Sequence, residues 1–296
     1  MCIKKINTLQ TKENLLKKLI TDIPTIVSIS LKEDLNYIIN YKQDITSQLI
    51  NKNLKITAKI ITRESCIFCG KKWVDEVFFQ LGNKVKINWF VEDGDFLDKN
   101  QTICNMIGDS HILLAGERTS LNFIQTLSSI STITAKYVKQ LEGTKTKLLD
   151  TRKTIPGLRT ASKYAVLIGG GFNHRFGLTD LYLIKENHIF LAGSIEKIIK
   201  HVKNFNNNIH IEIEVKNLEE LLQAINLDIK FIMLDNFSSI MIKKAVDITN
   251  GKAFLEASGN ITIKNIKEIA KIGVDFISTG ALTKNIKAID LSMLFN

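Results

Sequence analysis

The chain has 296 residues, with 40 Lys and Arg against 30 Asp and Glu for a formal charge of +10. With 45% hydrophobic residues and only two prolines, it is too apolar for a disordered chain and too poor in Pro for a fibrous one. Four cysteines are too few for a disulfide-stapled secreted domain, and the longest uncharged stretch, residues 119–135, falls short of the ~20 apolar residues of a membrane helix.

The opening Met1-Cys2-Ile3-Lys4-Lys5 has no apolar signal core, so a cytoplasmic chain is expected. Leu15, Leu16, Leu19 and Ile20 predict a short amphipathic helix that Ile23-Pro24 ends. Residues 54–62 alternate as a half-buried strand does, and 85–91 reads as another strand before a turn at Glu92-Asp93-Gly94-Asp95. Between them, Cys66-Ile67-Phe68-Cys69 looks like half of a zinc or redox motif. No second Cys or His pair follows at a suitable spacing, and the alternating apolar context favours a buried strand with free thiols. The first third thus reads as a small α+β unit.

From residue 110 the pattern changes. Leu113, Leu114, Leu121, Ile124, Leu127 and Ile130 predict long helical segments with one apolar face. Six short apolar runs follow, at 147–151, 181–185, 210–215, Phe231–Asp235, 253–258 and 275–280. Helical patterns at 218–225, 239–246 and 263–272 separate the later ones. Such βα repetition closes naturally into a right-handed α/β barrel.

In a barrel of this kind the chemistry sits at the C-terminal ends of the strands. Those ends carry Arg152-Lys153, Lys185, Glu214, Asp235, Ser258-Gly259 and Gly280. Cations come from the early strands, carboxylates from the middle ones, and small residues suited to backbone contact with phosphate from the last two. Each alone is ordinary; their joint placement toward one cavity carries the weight.

The charge has a place of its own. Residues 145–185 hold eight basic and two acidic side chains, a net +6 within 41 residues. A nucleic-acid binder would interleave aromatics with those cations, yet the window has only two Tyr and two Phe and lies on loops that a barrel turns inward. Small polyanions fit better. The three glycines of Gly169-Gly170-Gly171 precede Phe172-Asn173-His174-Arg175, which suggests backbone bent tightly around something, and no Gly-Lys-Ser/Thr follows to make a P-loop.

These residues carry a family resemblance. Ala115-Gly116-Glu117-Arg118-Thr119, Asp150-Thr151-Arg152-Lys153-Thr154-Ile155-Pro156-Gly157-Leu158-Arg159 and Gly169-Gly170-Gly171-Phe172-Asn173-His174-Arg175 resemble segments of the quinolinate phosphoribosyltransferases. Leu183-Ile184-Lys185-Glu186-Asn187-His188, Glu212-Ile213-Glu214-Val215, Leu234-Asp235-Asn236-Phe237, Glu256-Ala257-Ser258-Gly259 and Ser278-Thr279-Gly280-Ala281 continue the match in order.

The resemblance implies an α/β fold: an incomplete, TIM-like α/β barrel over residues 119–285 and an N-terminal α+β sandwich domain over 1–118, with 286–296 packing back onto the latter. It implies transfer of phosphoribosyl from phosphoribosyl pyrophosphate to quinolinate with decarboxylation, with Mg2+, in de novo NAD synthesis. It also implies a homodimer with shared sites, and no nucleic-acid or membrane partner. Quinolinate brings two carboxylates, which planar guanidiniums bind well. By resemblance Arg118, Arg152, His174 and Arg175 hold them, and Arg63 reaches in from the partner subunit. Lys153 and Lys185 grip the phosphoribosyl substrate, and Ser258, Gly259 and Gly280 cradle its 5′-phosphate. Glu214 and Asp235 serve the ribose hydroxyls and magnesium, since hard cations want oxygen ligands.

Asn260 stands where the family often has glycine, which would tighten that loop, and Asp44-Ile45-Thr46-Ser47 where Asp-x-Thr-Thr is common. Arg159 and Lys163 read as dimer-facing or solvated. A related enzyme acting on a different acid, such as the paralogue associated with molybdenum transport, is the competing reading; the Arg/His set suited to two carboxylates argues against it.

Overall fold

The computed structural model describes residues 12–51, 54–205 and 209–295. The N-terminal segment read for a signal core lies outside the described residues. Contacts divide the chain into two compact units.

One unit comprises Lys12–Ala135, Ile155–Gly170 and residues 285–295. Its antiparallel sheet has the order β12-β1-β5-β3, formed by Leu291–Phe295, Lys55–Thr62, Thr102–Asp109 and Lys86–Trp89. The final strand pairs with β1, Met293 opposite Ile60. The boundary expected at 118/119 falls inside one continuous helix, Ser110–Gln140.

The first helix corrects the sequence reading. It runs Lys12–Asp34, straight through Pro24. A proline removes one backbone donor and strains the preceding turn. Here Leu15, Leu19, Ile23, Val27, Leu31 and Leu35 are all buried at a four-residue spacing, on both sides of the proline. That continuous apolar stripe outweighs the local break. Lys163 is a second correction: it is fully buried within its own chain.

Cys66 lies on the short strand β2, Cys66–Ile67, which pairs with β4, Phe96–Leu97. Cys66, Cys69 and Cys104 are free and buried, as the alternating pattern suggested for the first two. Burial pushes all three thiols up, Cys104 to about 12.

The other unit holds Lys136–Thr154 and Gly171–Lys284. Its sheet has six strands in the order β6-β11-β10-β9-β8-β7. They are Lys147–Leu149, Phe276–Ser278, Phe254–Ser258, Phe231–Asp235, Ile211–Val215 and Tyr182–Ile184, and every ladder is parallel. From β7 the order runs forward through the chain to β11 and then steps to β6, as in a barrel left open between its first two strands. Among the described residues no ladder joins β6 to β7.

Parallel strands covered on both faces read as short apolar runs, which is why all six appear where the sequence puts them. Helices follow strands with ordinary caps. Asn217 accepts from the backbone N–H of Glu220 at 2.9 Å ahead of helix Leu218–Asn226, and Ser238 from Met241 at 3.3 Å ahead of Ser239–Thr249.

Candidate active site

Side chains alternate across a strand, so residues two apart share a face. In the parallel sheet this stacks the inner face into layers. At the N-terminal ends His210, Phe231, Phe254 and Phe276 form an aromatic floor; Phe231 and Phe254 stack with centroids 5.4 Å apart. One step along lie Glu212, Met233, Glu256 and Ser278, all buried. One step further come Glu214, Asp235 and Ser258, at or next to the strand ends. The floor and part of the middle layer line a small cavity of about 50 Å³, together with His174 and Arg175.

Lys185 follows β7 and stands at the start of helix Glu186–Ala192. Its Nζ pairs with the Glu214 carboxylate on the neighbouring strand. Ser258 of β10 is in register with Asp235 of β9. The next residue, Gly259, has φ +88°, and a Cβ there would lie 3.0 Å from the backbone nitrogen of Asn236 and closer still to its side-chain amide. Only glycine fits that turn. Asn260, also left-handed at φ 52°, donates to the Asn236 side-chain oxygen at 3.2 Å.

Gly280 follows β11. A Cβ on it would meet Lys153 Cδ at 2.9 Å and Cβ at 3.2 Å. Lys153 is fixed at its backbone, since its carbonyl accepts from Thr283 Oγ1 at 2.7 Å and its N–H donates to Thr151 Oγ1 at 3.1 Å. Beside it, the Nε of Arg152 is buried and has no hydrogen-bond partner. Burial and the nearby Arg152 charge push the Arg175 guanidinium down, while Glu212 and Asp180 offset this. The two guanidiniums are close enough to repel each other, and Arg152 holds an unused buried donor.

The middle layer contains groups that the sequence reading quoted within motifs but assigned no role. His174 Nε2 lies 3.0 Å from Glu212 Oε2 and 3.5 Å from Glu256 Oε2. Ser278 Oγ donates to Glu256 Oε1 at 2.5 Å. Burial and the Glu212 charge push the Glu256 carboxyl up to about 8, against the His174 ring, which lowers it. Asp150, fully buried after β6, also has no role in that reading; it accepts from the His174 backbone N–H at 2.8 Å. The signal that finds Glu212 and Glu256 is their placement two residues before Glu214 and Ser258, on the same face.

Ten of the twelve site residues read from sequence therefore lie on one unit: Arg152, Lys153, His174, Arg175, Lys185, Glu214, Asp235, Ser258, Gly259 and Gly280. Arg63 and Arg118 belong to the other unit. Arg63 donates from Nε to Ser292 Oγ at 3.1 Å, and Arg118 is exposed on helix Ser110–Gln140.

The chain as a whole is similar to known proteins. Residues 44–128 match the model of the quinolinate phosphoribosyl transferase N-terminal domain, and residues 130–294 that of the C-terminal domain. A probable nicotinate-nucleotide pyrophosphorylase (carboxylating) of Bacillus subtilis is 39% identical over 84% of this chain and 87% of its own. Among solved structures, the nicotinate-nucleotide pyrophosphorylase of Francisella tularensis superposes with a TM-score of 0.89 at 50% identity, covering 93% of this chain and 96% of that one. That of Ehrlichia chaffeensis gives 0.88 at 41%, covering 92% and 98%.

Proposed function

The chain belongs to the quinolinate phosphoribosyltransferase family, and from that premise we propose how its residues carry the reaction. Phosphoribosyl passes from phosphoribosyl pyrophosphate to quinolinate, giving nicotinate mononucleotide, carbon dioxide and pyrophosphate, a step of de novo NAD synthesis. The observation that carries the reading is the pair Arg152 and Arg175, with the buried Arg152 Nε lacking an acceptor. A buried guanidinium donor without a partner is costly, and a dicarboxylate supplies what is missing.

Lys153 and Lys185 hold the anionic end of phosphoribosyl pyrophosphate and stabilise charge as pyrophosphate leaves C1 of the ribose. Glu214 and Asp235 offset the positive charge that develops at that carbon. The pyridine nitrogen of quinolinate then attacks C1 with its lone pair. The N-alkylated ring is now electron-poor. The electron pair of the bond to the adjacent carboxylate falls back onto the ring as carbon dioxide leaves, and a proton takes its place. Ser258, Gly259 and Gly280 present backbone and a hydroxyl to the 5′-phosphate.

Glu214 and Asp235 are adjacent half-buried carboxylates at strand ends, the oxygen donors that a hard cation takes. Magnesium held there would neutralise pyrophosphate charge. Arg63, supplied by a second copy of the chain, and Arg118 join the carboxylate set, so the working form is a homodimer. Among the described residues no helix is long and apolar enough to cross a membrane, and the enzyme works in the cytoplasm on small molecules, without nucleic acid.

One incubation tests this: the protein with phosphoribosyl pyrophosphate, magnesium and either quinolinate or nicotinate. Mononucleotide and carbon dioxide form from quinolinate only. Product from nicotinate alone refutes the reading.

A further inference from the structure

A second cavity opens at the N-terminal ends of the parallel strands, the end opposite Glu214, Asp235 and Ser258. It measures about 390 Å³, and its wall belongs wholly to the unit of the parallel sheet. Helix ends meet strand starts there. Helix Ser239–Thr249 stops at Asn250, left-handed at φ 43°, with Gly251 next at φ 75°. Helix Ile266–Ile272 stops at Gly273, φ 108°. The two turns lead into β10 and β11 and border the cavity.

Two kinds of surface line it. Val246, Leu255, Phe231 and Phe254 form an apolar wall, and the last two are the stacked rings that also floor the inner cavity. Lys145, Lys230 and Lys252, all exposed, supply ammonium groups.

The hydrogen-bonding capacity of this wall is one-sided, because its acceptors are taken. Asp275, the one acid among the lining residues, accepts from Lys145 Nζ at 3.1 Å on Oδ1 and from the Leu255 N–H at 3.0 Å on Oδ2. The helix-end carbonyls of Val246, Thr249 and Ala270 accept from the N–H groups of Asn250, Lys252 and Gly273. Donors remain. Lys230 pairs with Asp228, an exposed residue outside the wall, and among the described residues Lys252 pairs with no carboxylate. The hydroxyl of Thr249, a lining residue only 2% exposed, is buried without a partner. Buried hydroxyls of this kind are uncommon.

We propose that this basal cavity binds a small aromatic anion of mononucleotide size, its flat ring against the apolar wall and its phosphate on the lysines. The volume falls within the ~300–1,000 Å³ of small-molecule sites. Inorganic phosphate alone leaves the aromatic wall uncovered, and an uncharged ring leaves the donors unused. Ammonium groups hold such an anion as point charges. No residue of this wall belongs to the set that handles quinolinate or phosphoribosyl pyrophosphate, so the site is separate from the reaction and does not depend on it.

Adenosine 5′-monophosphate is the probe, added to the full chain and followed by calorimetry and by hydrogen exchange. Its two halves, adenosine and inorganic phosphate, should each bind ~10-fold more weakly or worse. Binding should survive Lys153→Ala, a lesion at the opposite ends of the strands. It should weaken by about ten-fold or more in Lys252→Glu, whose turnover without the nucleotide stays at the wild-type level. In the wild type, exchange should slow across residues 249–255.

Absence of binding at millimolar nucleotide overturns the proposal. Phosphate that binds as tightly as the nucleotide also overturns it, since that is the behaviour of a solvated lysine patch. So does binding that Lys153→Ala abolishes and Lys252→Glu leaves intact, which places the nucleotide at the catalytic end. Should Lys252→Glu fail to fold, exchange in the wild type decides: protection confined to the C-terminal ends of the strands refutes a basal site.

Discussion

The ammonium of Lys185 and the carboxylate of Glu214 meet across the gap between the ends of two neighbouring parallel strands, β7 and β8. Lys185 is the first residue past β7 and Glu214 the penultimate residue of β8, and each offsets the charge of the other. In the proposed reaction, an anionic pyrophosphate competes for the lysine and leaves the glutamate to face the ribose carbon as it becomes positive. The pair would then place opposite charges at the two ends of the bond to be broken.

Removing the cation should therefore hurt turnover more than folding. Lys185→Ala is expected to lower kcat by ~100-fold or more, the range found when a preorganised electrostatic group is lost. The lysine is partly exposed, so Tm should move little. Steady-state kinetics with both substrates, beside thermal unfolding, checks this; unchanged turnover refutes the assignment. Lys153→Ala should behave alike.

Gly280→Ala provides a test of placement with no change of charge. The new methyl would press on Lys153 Cδ and Cβ, whose backbone is held by Thr151 and Thr283. Overpacking of this kind costs about 1–3 kcal/mol, and the lysine must yield. A displacement of about 1 Å in a positioning group can lower rate ~100-fold. We expect kcat to fall by ten- to a hundredfold (an order-of-magnitude figure) while the fold survives. Gly259→Ala should also lose stability, because φ +88° strains any side chain there. A crystal structure of Gly280→Ala with Lys153 unmoved and activity intact would refute the argument.

Glu256 predicts a pH dependence of stability with an unusual sign. Burial raises this carboxyl from 4.5 to about 8 in the folded protein. The folded state thus holds the proton more tightly than the unfolded one. Its contribution is full below the unfolded value and is lost as pH rises through the folded value, because a buried charge must then form beside Glu212. Glu256→Gln stays neutral and removes this loss. From about pH 5 to about pH 9, Tm of the wild type should fall relative to the glutamine variant. Parallel Tm curves for the two proteins would contradict it.

The sequence reveals the strands well and the buried charges poorly, for a physical reason in each case. A buried parallel strand is a short apolar run ending where polar residues begin, so Phe231–Asp235 is read correctly to the residue. Residues at those ends, such as Lys185, Glu214 and Ser258, are legible for the same reason. Asp150, Glu212 and Glu256 look like ordinary polar residues inside motifs; their partners come from other strands and loops, and only the fold brings them together. Pro24 misleads in the opposite way. Local chemistry argues for a helix end, and the buried stripe from Leu15 to Leu35 overrides it.

Arg63 carries the prediction about assembly. Its backbone N–H donates to the Asp290 carbonyl at 2.7 Å and its Nε to Ser292, so the guanidinium is anchored where β1 leaves its pairing with the last strand. If Arg63 serves the site of a second copy, Arg63→Ala and Lys153→Ala damage different halves of a shared site. Each variant alone should then be inactive in both sites of its homodimer. A dimer of one copy of each puts both lesions into one site and leaves the other site whole. Mixing the two inactive proteins under conditions of subunit exchange should therefore restore turnover. Exchange can be followed separately by native mass spectrometry of tagged copies. Hybrid dimers that form and remain inactive would mean that Arg63 does not complete a partner's site.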